Sequence, residues 1–379
     1  MLENFCYQTD IVFQNLACPV TQSLLCGIDV GYSGIKVQSP HNASTIPSLV
    51  IKERGDAPLL VSADDIRYRD ERGQIWYVGS LAKKTLLYGS TAVKPSTLLG
   101  RQRIQSEDFT VQLRIGMFFA KMRSLPEDGY DLDDRPMKIQ TGLPPEFIVQ
   151  DTEELRNKLV GEHRFSVKVG KRPWVNMKIT LDTKDVYICK QPFGTLMSSV
   201  FNEEGVMTNP GLLRKNVLIL DAGFHTTDTF HCIQGAKEGI ALTWENYAMQ
   251  EVYQRTCNDI LKASGNKADI SVYSLEKAFG TGVVHYGANK EPYDFTKDFF
   301  RNLKAVCMEL LGELNAAYNN MINVDVIFLT GGTGVAWEGY IREKYKETKA
   351  LDIRLACDGK QTERANVKGY YNLLVSRCR

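Results

Sequence analysis

The sequence predicts an α/β protein built as two lobes, on three observations. The 379 residues exceed one ordinary domain and suit two, at roughly 100–200 residues apiece. Stretches patterned as buried strands alternate with stretches patterned as helices, an order that marks α/β packing. One short element also occurs twice. An apolar run, an aspartate, a small residue, a glycine and an aromatic follow one another in LLCGIDVGY, from residue 24, and again in VLILDAGF, from residue 217. Each copy begins a lobe.

Composition narrows the function classes. Hydrophobic residues at 43% and charged residues at 24% are ordinary globular values, which excludes disorder over most of the chain. With 46 basic and 45 acidic side chains the net charge is +1, so no long-range field steers the molecule onto nucleic acid or an anionic membrane. Neither is expected as a direct partner, and near-neutrality permits self-association. The nine cysteines (6, 18, 26, 189, 232, 257, 307, 357, 378) stand singly, without CxxC pairs, and read as reduced core thiols of a cytosolic protein. The N-terminus, MLENFCYQTDIVFQNLACPV, has no basic leader and no apolar run of about 18 residues, so neither an export signal nor a membrane span is expected.

In chain order, an N-terminal extension to which no role is assigned precedes LLCGIDVGYSGIKVQS, a β-hairpin. STIPSLVIK and QIWYVGSLAKK read as strands framing a charged stretch, 52–74, expected to form a surface subdomain. DFTVQLRIGMFFAKMRSL has apolar residues at 111, 113, 115, 117, 118 and 119, closer to a buried helix than to an alternating strand. PMKIQTGLPPEF is a strand that stops at Gly142-Leu143-Pro144-Pro145, because consecutive prolines cannot donate to a ladder. The alternation in FSVKVGKRPWVNMKITLDTKDVYICKQPFG predicts one or two hairpins and a strand ending near Cys189. FGTLMSSVFNEEG (193–205) is expected to be helical and VMTNPGLLRKN a loop. VLILDAGFHTTDTFHC opens the second buried strand and hairpin, helices dominate from about 246 to 320, and VDVIFLTGGTGVAWEGYIREKYK is a strand, a glycine loop and a helix.

Chemistry concentrates at the doubled element. Glycines there permit positive φ and a close approach of the backbone to a ligand, and successive turn amides form an anion-binding concavity. The two hairpins could therefore grip a polyphosphate from opposite sides. The aspartates oppose that reading, since a carboxylate about 5 Å from a phosphate charge costs roughly 3 kcal/mol at an effective dielectric of about 20. A divalent cation reverses the sign, and Mg²⁺ is commonly bound through one or two carboxylates plus substrate phosphates. Asp29 and Asp221 suit that role, with Lys36 as a direct phosphate partner. A third element, Gly331-Gly332-Thr333-Gly334, offers a side-chain-free surface at a helix N-terminus, fit for a base, a ribose or an α-phosphate. Neither GxxxxGK[ST] nor a complete GxGxxG is present, so P-loop and Rossmann readings fall away.

Other features read more plainly. His231 and Cys232 lack further ligands at metal spacing and belong to a core strand rather than a zinc site. Lys83-Lys84 reads as a solvated face. Glu251, Arg255 and Asp259, spaced i, i+4, i+8, read as ion pairs along one helix surface, with contact to a ribose as the alternative.

In this order and spacing the three elements resemble the phosphate-1, phosphate-2 and adenosine motifs of the actin/Hsp70/sugar-kinase superfamily. Within it, DxGxxxIK at 29–36, IPSLV, YVGSLA, TGLPPEF and NVKGYY (366–371) are similar to the bacterial actin-like ATPases of plasmid segregation, the ParM group. The resemblance spans roughly 24–379. It implies an actin-like, ribonuclease H-like fold of two lobes, each a mixed five-stranded sheet flanked by helices, with nucleotide in the cleft between them. Lobe I would be 24–215, with an insertion at about 45–95 and completion by 360–379; lobe II would be 216–359, with an insertion at about 255–300; residues 1–23 remain an extension.

Carried over residue by residue, the resemblance implies that Asp29 orients Mg²⁺ through water, while Gly31, Tyr32, Ser33, Gly34 and Lys36 hold the β- and γ-phosphates. Asp221 would act on the metal and the attacking water, with Gly223, Phe224, His225 and Thr226 closing on the phosphates. Gly331, Gly332, Thr333, Gly334 and Val335 would lie against the nucleoside. Gln191, expected to end the strand before phosphate-2, takes the water-positioning place that ParM-like proteins often fill with glutamate and actin with glutamine. Glutamine orients water by hydrogen bonds without acting as a strong base, which implies slow turnover. His225 stands where Gly or Asp is usual and reads either as a γ-phosphate sensor or as a turn residue. Phosphate-2 thus differs from its usual form at position 225.

The implied function is an ATP-dependent filament former that segregates plasmid DNA, with Mg²⁺-dependent hydrolysis coupled to disassembly. Its partners would be further copies of itself, head to tail, and a DNA-binding adaptor; the sequence does not separate ATP from GTP. The alternatives are a small-molecule kinase, for which no substrate-hydroxyl aspartate is evident; a chaperone ATPase, with no peptide-binding domain after 379; and a nucleotide-gated binding module that does not polymerise.

Overall fold

The computed structural model describes residues 2, 8–53, 61–88, 101–235 and 237–379. The chain divides into a larger unit, residues 7–210 and 364–379, and a smaller one, residues 1–6 and 211–363. Cys6 and parts of the expected insertion at 45–95 lie outside the described residues.

The larger unit carries β1 (Leu24–Val30), β2 (Gly34–Gln38), β3 (Thr45–Pro47), β4 (Val50–Lys52), β5 (Ile66–Arg69) and β6 (Ile75–Val78), then α1 (Ser80–Tyr88) and α2 (Glu107–Lys121). It continues with β7 (Met122–Ser124), β8 (Asp131–Leu132), β9 (Met137–Leu143), α3 (Ile148–Leu159), β10 (Gly161–Val169), β11 (Val175–Leu181), β12 (Val186–Lys190) and α4 (Gln191–Val200), and is completed by the C-terminal helix (Ala365–Cys378). Its main sheet has the order β12-β9-β1-β2-β3. β1 pairs antiparallel with β2 and parallel with β9, so the sheet is mixed. Strand alternation sends Leu24, Cys26 and Ile28 into one core with Phe118 and Met117 of α2, and Leu25 into another with Tyr371, Leu374 and Val375 of the C-terminal helix. Both faces are covered, which is why β1 reads as a continuous apolar run.

α2 forms where the apolar pattern predicts. Ser106 caps it by accepting the Phe109 N–H at 3.0 Å, and Glu107 and Asp108 place negative charge in the first turn. A second five-stranded sheet, β11-β10-β5-β6-β4, draws its strands from two distant segments, 50–78 and 161–181. Lys84 is not simply solvated: its Nζ reaches buried Asp65 at 3.0 Å and donates to Ser62 Oγ at 2.7 Å, binding α1 to the segment before β5.

The N-terminal extension has a structural role. Asp10 and Thr45 exchange backbone hydrogen bonds of 2.8 and 2.9 Å, and Ala43 donates to the Val12 carbonyl, so the segment runs antiparallel along the outer edge of β3. Leu16, Cys18 and Val20 then pack against the core formed with the C-terminal helix. An edge that would otherwise offer unpaired backbone groups is covered in this way.

The smaller unit carries β13 (Asn216–Ala222), β14 (Thr227–Ile233), β15 (Lys237–Glu238), β16 (Thr243–Trp244), α5 (Met249–Ala263), α6 (Val272–Leu275), β17 (Val283–Tyr286), β18 (Glu291–Asp294), α7 (Thr296–Ala317), β19 (Val326–Thr330), α8 (Gly331–Lys344) and β20 (Asp352–Leu355). Its sheet follows the path β15-β14-β13-β19-β20, with β16 beside β14. β13 pairs antiparallel with β14 and parallel with β19, repeating the β2-β1-β9 arrangement. Leu218 and Leu220 pack into a core with Val252 and Tyr253 of α5, Leu310 of α7 and Trp337 of α8.

Three local expectations are corrected. The helical region from 246 to 320 is interrupted by the β17–β18 hairpin. The helix expected over 193–205 starts at Gln191 and stops at Val200. No loop separates β19 from α8, because Gly331 is already the first helical residue.

Candidate functional site

Each hairpin of the doubled element closes by the same hydrogen bond. The Gly31 N–H donates to the Gly34 carbonyl at 3.0 Å, and the Gly223 N–H donates to the Thr226 carbonyl at 2.9 Å. A Cβ on Gly31 would stand 3.0 Å from the Gly34 oxygen, and one on Gly223 would stand 3.1 Å from the Thr226 oxygen. Neither glycine has positive φ. The expectation that they serve left-handed backbone is therefore corrected: the turn closes too tightly for a side chain. Thr226 closes the second turn as Gly34 closes the first.

In the first hairpin Asp29 lies directly opposite Lys36 in the β1–β2 register, with Lys36 Nζ 3.6 Å from Asp29 Oδ2. Asp29 is 3% exposed, and its Oδ2 has no hydrogen-bond partner. A buried carboxylate oxygen left without a donor is costly, and it is the kind of atom that a cation or its bound water satisfies. The turn beyond, Gly31-Tyr32-Ser33-Gly34, is braced by a residue to which the sequence assigned no role. Ser48 Oγ donates to the Gly31 carbonyl at 2.6 Å, and the Ser48 N–H donates to the Ser33 carbonyl at 3.1 Å. Gln112 of α2 donates in turn to the Ser48 carbonyl.

In the second hairpin Asp221 is buried at the end of β13, opposite Asp228 on one side and Thr330 on the other. Asp228 accepts from Thr226 Oγ1 at 3.0 Å and Thr243 Oγ1 at 2.6 Å. Two helix starts hold the turn. Thr333 Oγ1, in α8, donates to the Gly223 carbonyl at 2.7 Å, while the N–H groups of Met249 and Gln250 at the start of α5 donate to the carbonyls of Gly223 and Phe224. Phe224 stacks edge-on against Tyr253 with ring centroids 5.4 Å apart. His225 Nδ1 lies 2.8 Å from Gln250 Oε1, so the ring orientation is set by α5. His231 and Cys232 lie buried in β14, where His231 packs edge-on against Tyr318.

The glycines of the third element do different work. Gly331 has φ +78°, and a Cβ there would stand 2.1 Å from the Ala222 carbonyl oxygen and 2.9 Å from Asp221 Oδ1. It is glycine so that α8 can begin against the end of β13. A Cβ on Gly334 would meet only ordinary contacts with Leu329 and Ala222, Gly332 is half-buried, and Val335 is 42% exposed. Arg255 pairs with Glu251 at 2.8 Å as the spacing predicts, but also bidentately with Glu309 of α7, and Asp259 pairs with Arg301 of α7 rather than along its own helix.

Gln191 does not end β12; it is the first residue of α4, with Pro192 after it in a position that suits proline at a helix start. Its place is set from the C-terminus. Tyr370 Oη donates to the Gln191 carbonyl at 3.2 Å, and Asn366 Oδ1 accepts from both Thr195 N, at 3.2 Å, and Thr195 Oγ1, at 2.7 Å. A Cβ on Gly369 would lie 1.7 Å from the Gly194 oxygen, so α4 and the C-terminal helix touch backbone to backbone. NVKGYY is thus the buttress of the helix that Gln191 begins. Burial pushes the neighbouring Cys189 thiol up to about 12, which keeps it protonated and unreactive.

Residues 27–194 match the family described as the N-terminal domain of actin-like proteins. The chain has an actin-like fold. It is similar in structure to a non-polymerisable quadruple mutant of pCBH ParM, at 19% identity and a TM-score of 0.71 over 92% of this chain and 98% of that one. A 15-stranded ParM filament from Clostridium botulinum matches at 18% identity and TM-score 0.71, covering 93% and 99% of the two chains. The archaeal actin homologue Ta0583 in complex with ADP matches at 12% identity and TM-score 0.65, covering 92% and 98%. A comparison with curated protein sequences returned no match. The chain therefore shares the fold of ParM and of other bacterial and archaeal actin homologues, and each of its two units presents a mixed sheet flanked by helices. Among the described residues no helix is long and apolar enough to cross a membrane.

Proposed function

We propose that this actin-like protein polymerises head to tail when it binds ATP with Mg²⁺, and that slow hydrolysis destabilises the polymer. A heterologous contact that does not close into a ring generates a filament, and needs only two complementary patches. The observation that carries the nucleotide reading is the repeated Asp–Gly turn, closed by the same bond in each unit, with an unsatisfied buried oxygen on Asp29. The filament reading draws support from the ParM filament and the ADP-bound archaeal homologue that share the fold.

On this reading Asp29 and Asp221 hold the Mg²⁺, directly or through its waters. The ion, when bound, neutralises charge on the β- and γ-phosphate oxygens. The amides of Gly31 to Gly34 and of Gly223 to Thr226 donate to phosphate oxygens, and Lys36 contributes a point charge. Gly331 to Val335 lie against the nucleoside. Gln191 orients the attacking water by hydrogen bonds, in a reaction that depends on positioning and electrostatics more than on proton abstraction. The wider role we infer is cytoplasmic plasmid segregation through a DNA-binding adaptor, with GTP as the nucleotide to be tested against ATP.

Pelleting and light scattering at tens of micromolar, with ATP, ADP and no nucleotide, test the polymer. Assembly with ATP alone is expected, and a monomer under all three conditions would refute it. Gln191→Ala is expected to lower phosphate release at unchanged nucleotide affinity; an unchanged rate removes Gln191 from the mechanism.

A further inference from the structure

The first phosphate-binding turn is held by a cation that lies outside every motif of the sequence. Arg103 sits in the 3₁₀ turn Arg101–Gln105 that leads into α2. Its Nη2 donates to the Gly31 carbonyl at 2.7 Å and to Gln112 Oε1 at 3.0 Å. The guanidinium is flanked by aromatic rings, 4.5 Å from the Tyr32 centroid and 5.4 Å from that of Phe109. Its backbone is anchored too, because the Arg103 carbonyl accepts from both the N–H and the Oγ of Ser106, the residue that caps α2. Among the described residues Arg103 makes no ion pair. Its proton affinity is lowered by burial, against the opposing influence of Tyr32 and Asp29.

A buried arginine directed at a backbone carbonyl rather than a carboxylate needs a reason, because taking a guanidinium out of water is costly. The reason lies in the peptide that it grips. The Gly31 carbonyl oxygen has two lone pairs, and it accepts from Ser48 Oγ on one side and Arg103 Nη2 on the other. In a trans peptide the C=O and the following N–H point in opposite directions. Drawing the Gly31 oxygen toward Ser48 and Arg103 therefore fixes the Tyr32 N–H in the opposite direction. A planar fork can donate edge-on to two acceptors while its faces stack on rings; the point charge of a lysine cannot.

We propose that Arg103 is a positioning residue for phosphate recognition: it locks the Gly31–Tyr32 peptide so that the turn presents its amide to a nucleotide phosphate. This rests on the reading of Gly31 to Gly34 as a phosphate-binding turn. It assigns part of the affinity for phosphate to a residue that acts through the Gly31 carbonyl.

The test compares wild type, Arg103→Lys, Arg103→Met and Ser48→Ala for binding of adenosine, ADP and ATP with Mg²⁺, alongside the melting midpoint of the free protein and steady-state hydrolysis. Losing one charge-assisted hydrogen bond corresponds to about a tenfold change in affinity. Arg103→Lys is expected to weaken ADP and ATP binding about tenfold and to leave adenosine binding unchanged. KM should rise while kcat stays near wild type, because turn amides hold ground and transition states alike. Ser48→Ala should weaken the same ligands, and the double variant should lose less than the product of the single losses, since both side chains hold one carbonyl. If Arg103→Lys binds all three ligands as wild type does, or weakens adenosine as much as ATP, Arg103 is only a packing residue and the inference is overturned. If wild type binds neither ADP nor ATP, the nucleotide reading falls and takes this inference with it.

Discussion

Gly369→Ala should dislodge Gln191 from about as far away as a single methyl group can act. The added Cβ would lie 1.7 Å from the Gly194 oxygen, 2.5 Å from its carbonyl carbon and 2.7 Å from the Ser198 nitrogen. All three are backbone atoms of α4, so no side chain can rotate away. A close C···O approach is about 3.3 Å, and the two helices must therefore separate by about 1.6 Å. Overpacking of this kind costs about 1–3 kcal/mol, and here the top of that range applies. Separation also strains the Asn366–Thr195 and Tyr370–Gln191 hydrogen bonds, worth about 1 kcal/mol together if half their strength is lost. The sum, about 4 kcal/mol, corresponds to a fall of about 10 °C in the melting midpoint of a unit this size. A displacement of about 1 Å at a reacting group can cost about 100-fold in rate. Calorimetry and phosphate release measure the two effects. Gly312→Ala is the control: it sits in α7 with nothing near its Cβ, and should stabilise by about 0.5–1 kcal/mol. A Gly369→Ala protein that melts within about 2 °C of wild type and hydrolyses at the same rate would refute the argument.

Two further outcomes follow from the geometry. Asp133 is buried, and burial by itself would raise its pKa, but hydrogen bonds from Arg135 and His41 outweigh this and hold it well below the usual carboxylate range. Its contribution is therefore present above its unfolded value near pH 4 and is lost as pH falls toward the folded one; Asp133→Asn should cost about 3 kcal/mol at pH 7 and flatten the acid limb of stability against pH, as followed by urea melts. Asp29→Asn removes the carboxylate but keeps its shape, so nucleotide affinity should lose part of its dependence on Mg²⁺ while metal-free binding tightens, because the repulsion between carboxylate and phosphate is gone; calorimetric titrations with and without the ion check this, and an undiminished Mg²⁺ effect would remove Asp29 as a ligand.

The features legible in the sequence are those whose cause is local. The Gly31 and Gly223 turns, the α2 stripe and the stop of β9 at Pro144 each depend on residues a few positions apart, through tight closure, helical period or a missing N–H. Gly331 was legible as a glycine, but not the room that it makes for α8 to start, because the Ala222 carbonyl that a side chain would strike lies more than a hundred residues away. NVKGYY was recognisable as a motif without a role for the same reason: its partners Gln191, Gly194 and Thr195 are in α4.

By itself the sequence determined that there are two strand–aspartate–turn elements, one early in each half, and which side chains stand at their tips. Only the tertiary structure decided what holds those tips in place: Ser48, Gln112 and Arg103 on one turn, Thr333 and the start of α5 on the other, and the C-terminal helix behind Gln191. It also turned a featureless N-terminal extension into the edge cover of a sheet. The physical reason is one of range. Backbone geometry and hydrophobic period are written within a few residues, whereas a hydrogen bond to a turn carbonyl, or a glycine that lets two helices meet, exists only once the chain has brought distant segments together.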